Sequence, residues 1–194
     1  MEALRKRIYT LKEYIELEKK MGQKYEYHSG QIYSLAGGTI EHGLICGNIY
    51  SEIKNELANK ESECYPLNSE VRLHLDKTES YVYPDTMVIC GEMEKANDNN
   101  LAVKNPILIV EVLSKTTADY DRGDKFHMYR KIPTFREYVI IEQERYIVDV
   151  QYRKHKDALW MINRYEGIDS EIELKSIGIS LTMEKLYERV QIKD

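Results

Sequence analysis

Ile107-Leu108-Ile109-Val110-Glu111-Val112-Leu113 is the stretch that decides the fold. A run this short, this apolar and this rich in β-branched residues predicts a strand covered on both faces. Glu111 is the exception in its middle. An unpaired carboxylate in such a place costs roughly several kcal/mol. Glu111 must therefore be neutralised, paired with a cation or bound to a metal.

Upstream, Tyr83-Pro84-Asp85 leads into the apolar run Met87-Val88-Ile89-Cys90, and residues 81–90 read as a second strand. Pro84 has no donor for a ladder and marks an edge or a strand start. Acidic residues on consecutive strands converge when those strands are neighbours. Asp85 and Glu111 would then form a hard oxygen site suited to Mg2+, which takes a few carboxylates and keeps several waters.

Further out, Val71, Leu73 and Leu75 alternate with Arg72 and His74, predicting a half-buried strand before a turn at 76–80. Residues 91–105 are polar and loop-like, and residues 119–131 fit a helix. Strands are expected at 137–141, 146–152, 158–165 and 171–174, with a closing helix at 181–190. At the amino-terminal end, Thr10 and Glu13 form a capping-box pair for a helix to about residue 19. Tyr25, Tyr27, Ile32 and Leu35 flank a Ser29-Gly30 turn and read as a hairpin. Ile40, Leu44, Ile45, Ile49, Ile53 and Leu57 recur at helical spacing over 39–59. The order of elements predicts an α+β (α/β) domain, a mixed central β-sheet flanked by helices.

Composition narrows the class. The 194 residues fit a single domain spanning 1–194, with a core at about 10–185, and no linker or repeat interrupts it. At 42% hydrophobic and 31% charged, the chain reads as globular rather than disordered. No apolar run approaches a membrane span and no signal peptide is evident, so no membrane partner is expected. Cys46, Cys64 and Cys90 form neither a disulfide framework nor a zinc pattern. They read as core fillers in a cytoplasmic protein. The sixteen tyrosines against two phenylalanines read as half-buried strand residues with wet hydroxyls. A net charge of -5 argues against tight, sequence-independent binding of nucleic acid by the monomer. Arg72, Arg122 and Arg130 are scattered and define no DNA patch.

Tyr83-Pro84-Asp85, followed by Glu111-Val112-Leu113-Ser114, resembles the PD-(D/E)XK signature of restriction and repair nucleases. With Asp121-Arg122-Gly123-Asp124-Lys125, Tyr129, Glu137-Tyr138-Val139-Ile140, Tyr25-Glu26 and Glu41-His42, the series resembles the Uma-two-type restriction endonuclease family over roughly residues 10–185. The resemblance implies a restriction-endonuclease-like fold and metal-dependent hydrolysis of phosphodiesters in nucleic acid, with DNA favoured. It implies Mg2+, replaceable by Mn2+, held by Asp85, Glu111 and the main-chain carbonyl of Val112. The signature lysine falls at Leu113, which faces the same side of the strand as Glu111. The resemblance transfers its role to Lys125, with Lys115 as the other candidate. Glu70, Glu26 and His42 are accessory candidates. A homodimer or higher homo-oligomer is expected, since such nucleases cut two strands with two sites. Two rival readings remain: an inactive nuclease-fold interaction or regulatory module, motivated by Leu113, and a metal-dependent hydrolase of a small phosphodiester.

Overall fold

The computed structural model of the chain describes residues 7–35, 37–96, 102–114 and 118–192; Lys115 lies outside them. Helix α1 (Leu11–Met21) begins at Thr10, whose hydroxyl accepts from the Glu13 amide while the Glu13 carboxylate accepts from the Thr10 amide. Strands β1 (Tyr25–His28) and β2 (Gln31–Ser34) form the expected hairpin. Ser29 and Gly30 close it with φ values of 45° and 92°, the positive pair that matches strand twist in a two-residue turn. Helix α2 (Ile40–Asn59), capped by the Thr39 hydroxyl, buries Ile45, Ile49, Ile53 and Leu57 along one face.

The remaining strands are β3 (Cys64–Asn68), β4 (Arg72–Leu75), β5 (Ser80–Val82), β6 (Thr86–Cys90), β7 (Ala102–Val103), β8 (Leu108–Leu113), β9 (Glu137–Glu142), β10 (Ile147–Tyr152), β11 (Met161–Glu166), β12 (Glu171–Leu174) and β13 (Ile179–Thr182). They form a six-stranded sheet in the order β11-β10-β9-β8-β6-β3, a five-stranded sheet β2-β1-β5-β4-β7 and a hairpin β12-β13. Strand β8 runs parallel to β9 and antiparallel to β6, so the large sheet is mixed. The β8–β9 crossover carries α3 (Ala118–Tyr120), a π turn over Asp121–Lys125 and α4 (Phe126–Tyr129). A short α5 (Met183–Leu186) follows β13.

Every residue of β8 is buried. Leu108, Val110 and Val112 pack with the apolar face of α2 and with α5, while Ile109 and Leu113 pack with Tyr129, Phe135 and Tyr138. Among the described residues no helix is long and apolar enough to cross a membrane.

Several expectations are corrected. Residues 81–90 are not one strand: β5 belongs to the small sheet and β6 to the large one. The break falls at Tyr83-Pro84-Asp85, where proline removes a ladder donor and the chain passes between sheets. Strand β3 was not anticipated; its Pro66 is tolerated because β3 is an edge strand. Residues 91–105 include the short β7. The closing helix shrinks to one turn because Ile179 and Leu181 alternate inward in β13 against β12. The cysteines are not simply core fillers: Cys64 and Cys90 are cross-strand partners joined by a disulfide, and Cys46 is outside it. Nor are the tyrosine hydroxyls generally wet. Tyr14, Tyr129 and Tyr138 are fully buried, and their hydroxyls donate to the Tyr25 carbonyl, to Glu111 and to the Asp121 carbonyl.

Candidate metal centre

Pro84 ends the small sheet, and the next residue, Asp85, stands at the head of β6. Its Oδ2 accepts the Val112 amide at 2.8 Å and lies 3.4 Å from His42 Nε2. That hydrogen bond ties Asp85 to the residue next to Glu111. The Val112 backbone also helps to raise the His42 pKa. Asp85, Glu111, Val112, His42 and Lys125 line one cavity of about 1520 Å3 between the sheets and α2.

Glu111 is 3% exposed. Its Oε1 accepts from the Tyr129 hydroxyl at 2.7 Å and from Lys125 Nζ at 3.0 Å. Leu113 lies on the same side of β8 in apolar packing, so the cation beside Glu111 comes from the helix instead. The spacing Asp121, Lys125, Tyr129 puts all three on one face of that helix. The π turn occupies its middle, between α3 and α4, a distortion frequent at functional sites.

Lys125 is surrounded by carboxylates. Its Nζ lies 3.0 Å from Glu111 Oε1, 3.1 Å from Asp121 Oδ1 and 3.6 Å from Glu26 Oε1. The Asp121–Lys125 pair is buried, not a solvated helix-surface pair. Among the described residues, Asp121 Oδ1 has an ammonium beside it but no donor in line for a hydrogen bond. Glu26 is fully buried on β1, within 3.2 Å of His28 Nε2, and accepts from the Tyr83 amide at 3.4 Å. The Tyr120 hydroxyl lies 2.8 Å from His28 Nε2.

The local electrostatics follow from this packing. Burial drives the Glu111 carboxyl well above the ordinary carboxylate range, with Asp121 and Asp85 adding to the rise and Lys125 opposing it. Burial also opposes the charge on Lys125, but Glu111, Glu26 and Asp121 outweigh it and raise its pKa. Glu26 is held below the ordinary value because Lys125 and His28 overcome its desolvation. His42 is raised chiefly by its hydrogen bond to Asp85.

Of the candidates read from sequence, Glu70 stands apart. It precedes β4 in an exposed turn, where its carboxylate pairs with Lys24 at 2.6 Å. Arg72 pairs with Glu18, and Arg122 bridges Asp149 and Glu142. Asp121, Tyr129, Tyr120, His28 and Cys46 join the cluster without having been singled out for it. Only the four-residue spacing of 121, 125 and 129 signalled part of this; the rest depends on how the hairpin and α2 are placed.

A model of the family described as "Putative restriction endonuclease" matches residues 11–184. The chain belongs to this Uma2 family. Two Synechocystis relatives, named "Uncharacterized protein sll1609" and "Uncharacterized protein slr1290", are 35% and 33% identical. The first match covers 89% of this chain and 96% of the relative, the second 90% and 89%. The fold is shared with a crystal structure from Anabaena variabilis titled as a putative nuclease belonging to DUF820. That match has a TM-score of 0.68 at 15% identity, covering 88% of this chain and 93% of the other. Restriction-endonuclease-like nucleases typically use divalent metals. The donor set fits one: among the described residues, the buried carboxylates of Glu26, Glu111 and Asp121 outnumber the ammonium they surround.

Proposed function

We propose that this protein is a divalent-cation-dependent endonuclease that hydrolyses phosphodiester bonds of nucleic acid, with DNA as the favoured substrate. The carrying observation is the cluster around Lys125, where, among the described residues, Glu26, Glu111 and Asp121 share one ammonium in a cavity that also holds Asp85. Asp85, Glu111 and the Val112 carbonyl would hold Mg2+, or Mn2+ in its place, as a hard oxygen set. Such a cation, when bound, polarises the scissile phosphate and acidifies a water.

The chain's own groups supply the rest. Lys125 is kept charged by its carboxylates and is placed to stabilise negative charge developing on the phosphoryl oxygens. Glu26 and the Tyr129 hydroxyl act as positioning groups: Glu26 holds the ammonium from behind, and Tyr129 fixes the Glu111 carboxylate. The cavity, at about 1520 Å3, exceeds the ~300–1,000 Å3 usual for small-molecule pockets, which favours a polymer over a small phosphodiester.

The test is nicking of supercoiled plasmid in Mg2+ or Mn2+, with chelator and with Asp85→Ala as controls. Cleavage by wild type alone, abolished by chelation, is expected. Equal cleavage by wild type and Asp85→Ala removes the proposal, and no cleavage by either removes it in favour of a non-catalytic module.

A further inference from the structure

On α2, His42 and Cys46 are one turn apart, on the same face of the helix. Cys46 Sγ lies 3.5 Å from His42 Nδ1 and 4.0 Å from Nε2, and His42 Nε2 lies 3.4 Å from Asp85 Oδ2. One nitrogen, one sulfur and one oxygen donor therefore lie within 4.8 Å of one another on the wall of the cavity. Gly38 makes room for this. A Cβ there would stand 3.0 Å from His42 Nδ1, and the ring would have to give by a few tenths of an ångström.

The chemistry of these donors differs from that of the carboxylate site beside them. Magnesium takes oxygen ligands and gains little from a thiol or an imidazole. A thiolate, an imidazole and a carboxylate are a zinc-type set, and three protein ligands leave a position open for water or a phosphate oxygen. The helix–sheet packing creates this set from a cysteine that spacing alone leaves outside any zinc pattern.

We propose that His42, Cys46 and Asp85 form a second, softer metal site that takes Zn2+. Coordination replaces the Cys46 thiol proton with the metal, and that proton leaves to the buffer. Asp85 is the shared corner of the soft and hard sites. Zinc therefore competes with magnesium for this carboxylate, a consequence that rests on the assignment of Asp85 to the hard site above.

Cobalt tests the ligands directly, since a thiolate bound to Co2+ gives a near-ultraviolet charge-transfer band. The reduced, chelator-treated full-length protein is titrated with Co2+ and then with Zn2+. Wild type is expected to develop the band at one equivalent and lose it to zinc. Cys46→Ser abolishes the band and weakens zinc binding at least ~100-fold. Cys64→Ser/Cys90→Ser retains the band. No band in wild type, or a band that survives Cys46→Ser and disappears in the double variant, overturns the proposal. The circular dichroism of Cys46→Ser in chelator should match wild type; if that variant does not fold, the wild-type and double-variant spectra decide. Plasmid nicking in Mg2+ separates the two proposals: a cobalt band without cleavage sinks the nuclease and keeps the zinc site, and cleavage without a band does the reverse.

Discussion

Glu111 and Glu137 stand on adjacent parallel strands of the large sheet, in β8 and β9, and both are buried. Burial raises both carboxyls above the ordinary range. Their partners differ in kind. The Glu137 carboxylate accepts from the Lys175 amide at 2.9 Å, the Ser176 amide at 2.9 Å and the Ser176 hydroxyl at 2.7 Å. These fixed donors tie the loop after β12 to the end of β9. Glu111 instead meets an ammonium and a tyrosine hydroxyl on the wall of a large cavity, among further carboxylates. Burial of a carboxylate alone thus does not distinguish structural from chemical work. What distinguishes them is whether neutral, fixed donors satisfy the group or whether it is left in a surplus of like charge.

The largest effect that can break this contrast comes from Lys125→Met. Removing the cation that Glu26, Glu111 and Asp121 share among the described residues should cost about 3–5 kcal/mol in denaturant melts. The loss should shrink on lowering the pH, because the stranded carboxylates can then take up protons. A loss that does not change with pH would mean that the cluster does not carry the charge described.

Next is the response to metal. Mg2+ or Mn2+ at about 100 times its Kd should stabilise wild type by about 2.7 kcal/mol, read as a rise in Tm. Asp85→Ala should abolish the rise and Glu137→Gln should keep it. An equal rise in all three would erase the difference between the two glutamates.

Glu137→Gln should itself cost about 1–3 kcal/mol, since an amide nitrogen replaces one acceptor facing three donors. Plasmid nicking should be unchanged. The sign with pH follows from the raised carboxyl. A folded pKa above 4.5 means that wild type is favoured below that value and loses the benefit as pH rises through the folded pKa. The cost of Glu137→Gln should therefore be greatest in acid. A cost that grows with pH would contradict the raised carboxyl.

The smallest effect is expected at Asp149 on β10. Burial pushes its carboxyl up, but hydrogen bonds from Arg164 and Arg122 outweigh this and hold it low. Its contribution should be present above the unfolded pKa and be lost as pH falls through the lowered one. With its arginine partners partly solvated and screened, Asp149→Asn should cost under about 1 kcal/mol at neutral pH. A loss as large as that of Lys125→Met would show that a buried carboxylate with partly solvated arginine partners matters as much as the cavity cluster.

Much was legible because it depends on local pattern. Thr10 and Glu13, Ser29 and Gly30, and the run from Ile45 to Leu57 each carry their structure in their own spacing. The oddity of Glu111 in an apolar strand needed no partner to be noticed. Pro84 was equally visible, but whether it bends one strand or separates two depends on which sheet each side finds. Glu70 shows the same limit: closeness in sequence to a strand beside Asp85 did not bring its side chain to the cavity.

Local pattern is enough to set the elements, the buried strand β8 and the need for Glu111 to find a charge or a metal, since periodicity and desolvation act within a few residues. Which groups answer that need is settled by packing across the fold. The crossover helix brings Lys125 and Tyr129 to Glu111, the hairpin brings Glu26 beneath them, and α2 sets His42 and Cys46 against Asp85. These meetings join groups far apart along the chain. Their cause is the packing of two sheets and a helix around a shared cavity, which no local pattern encodes.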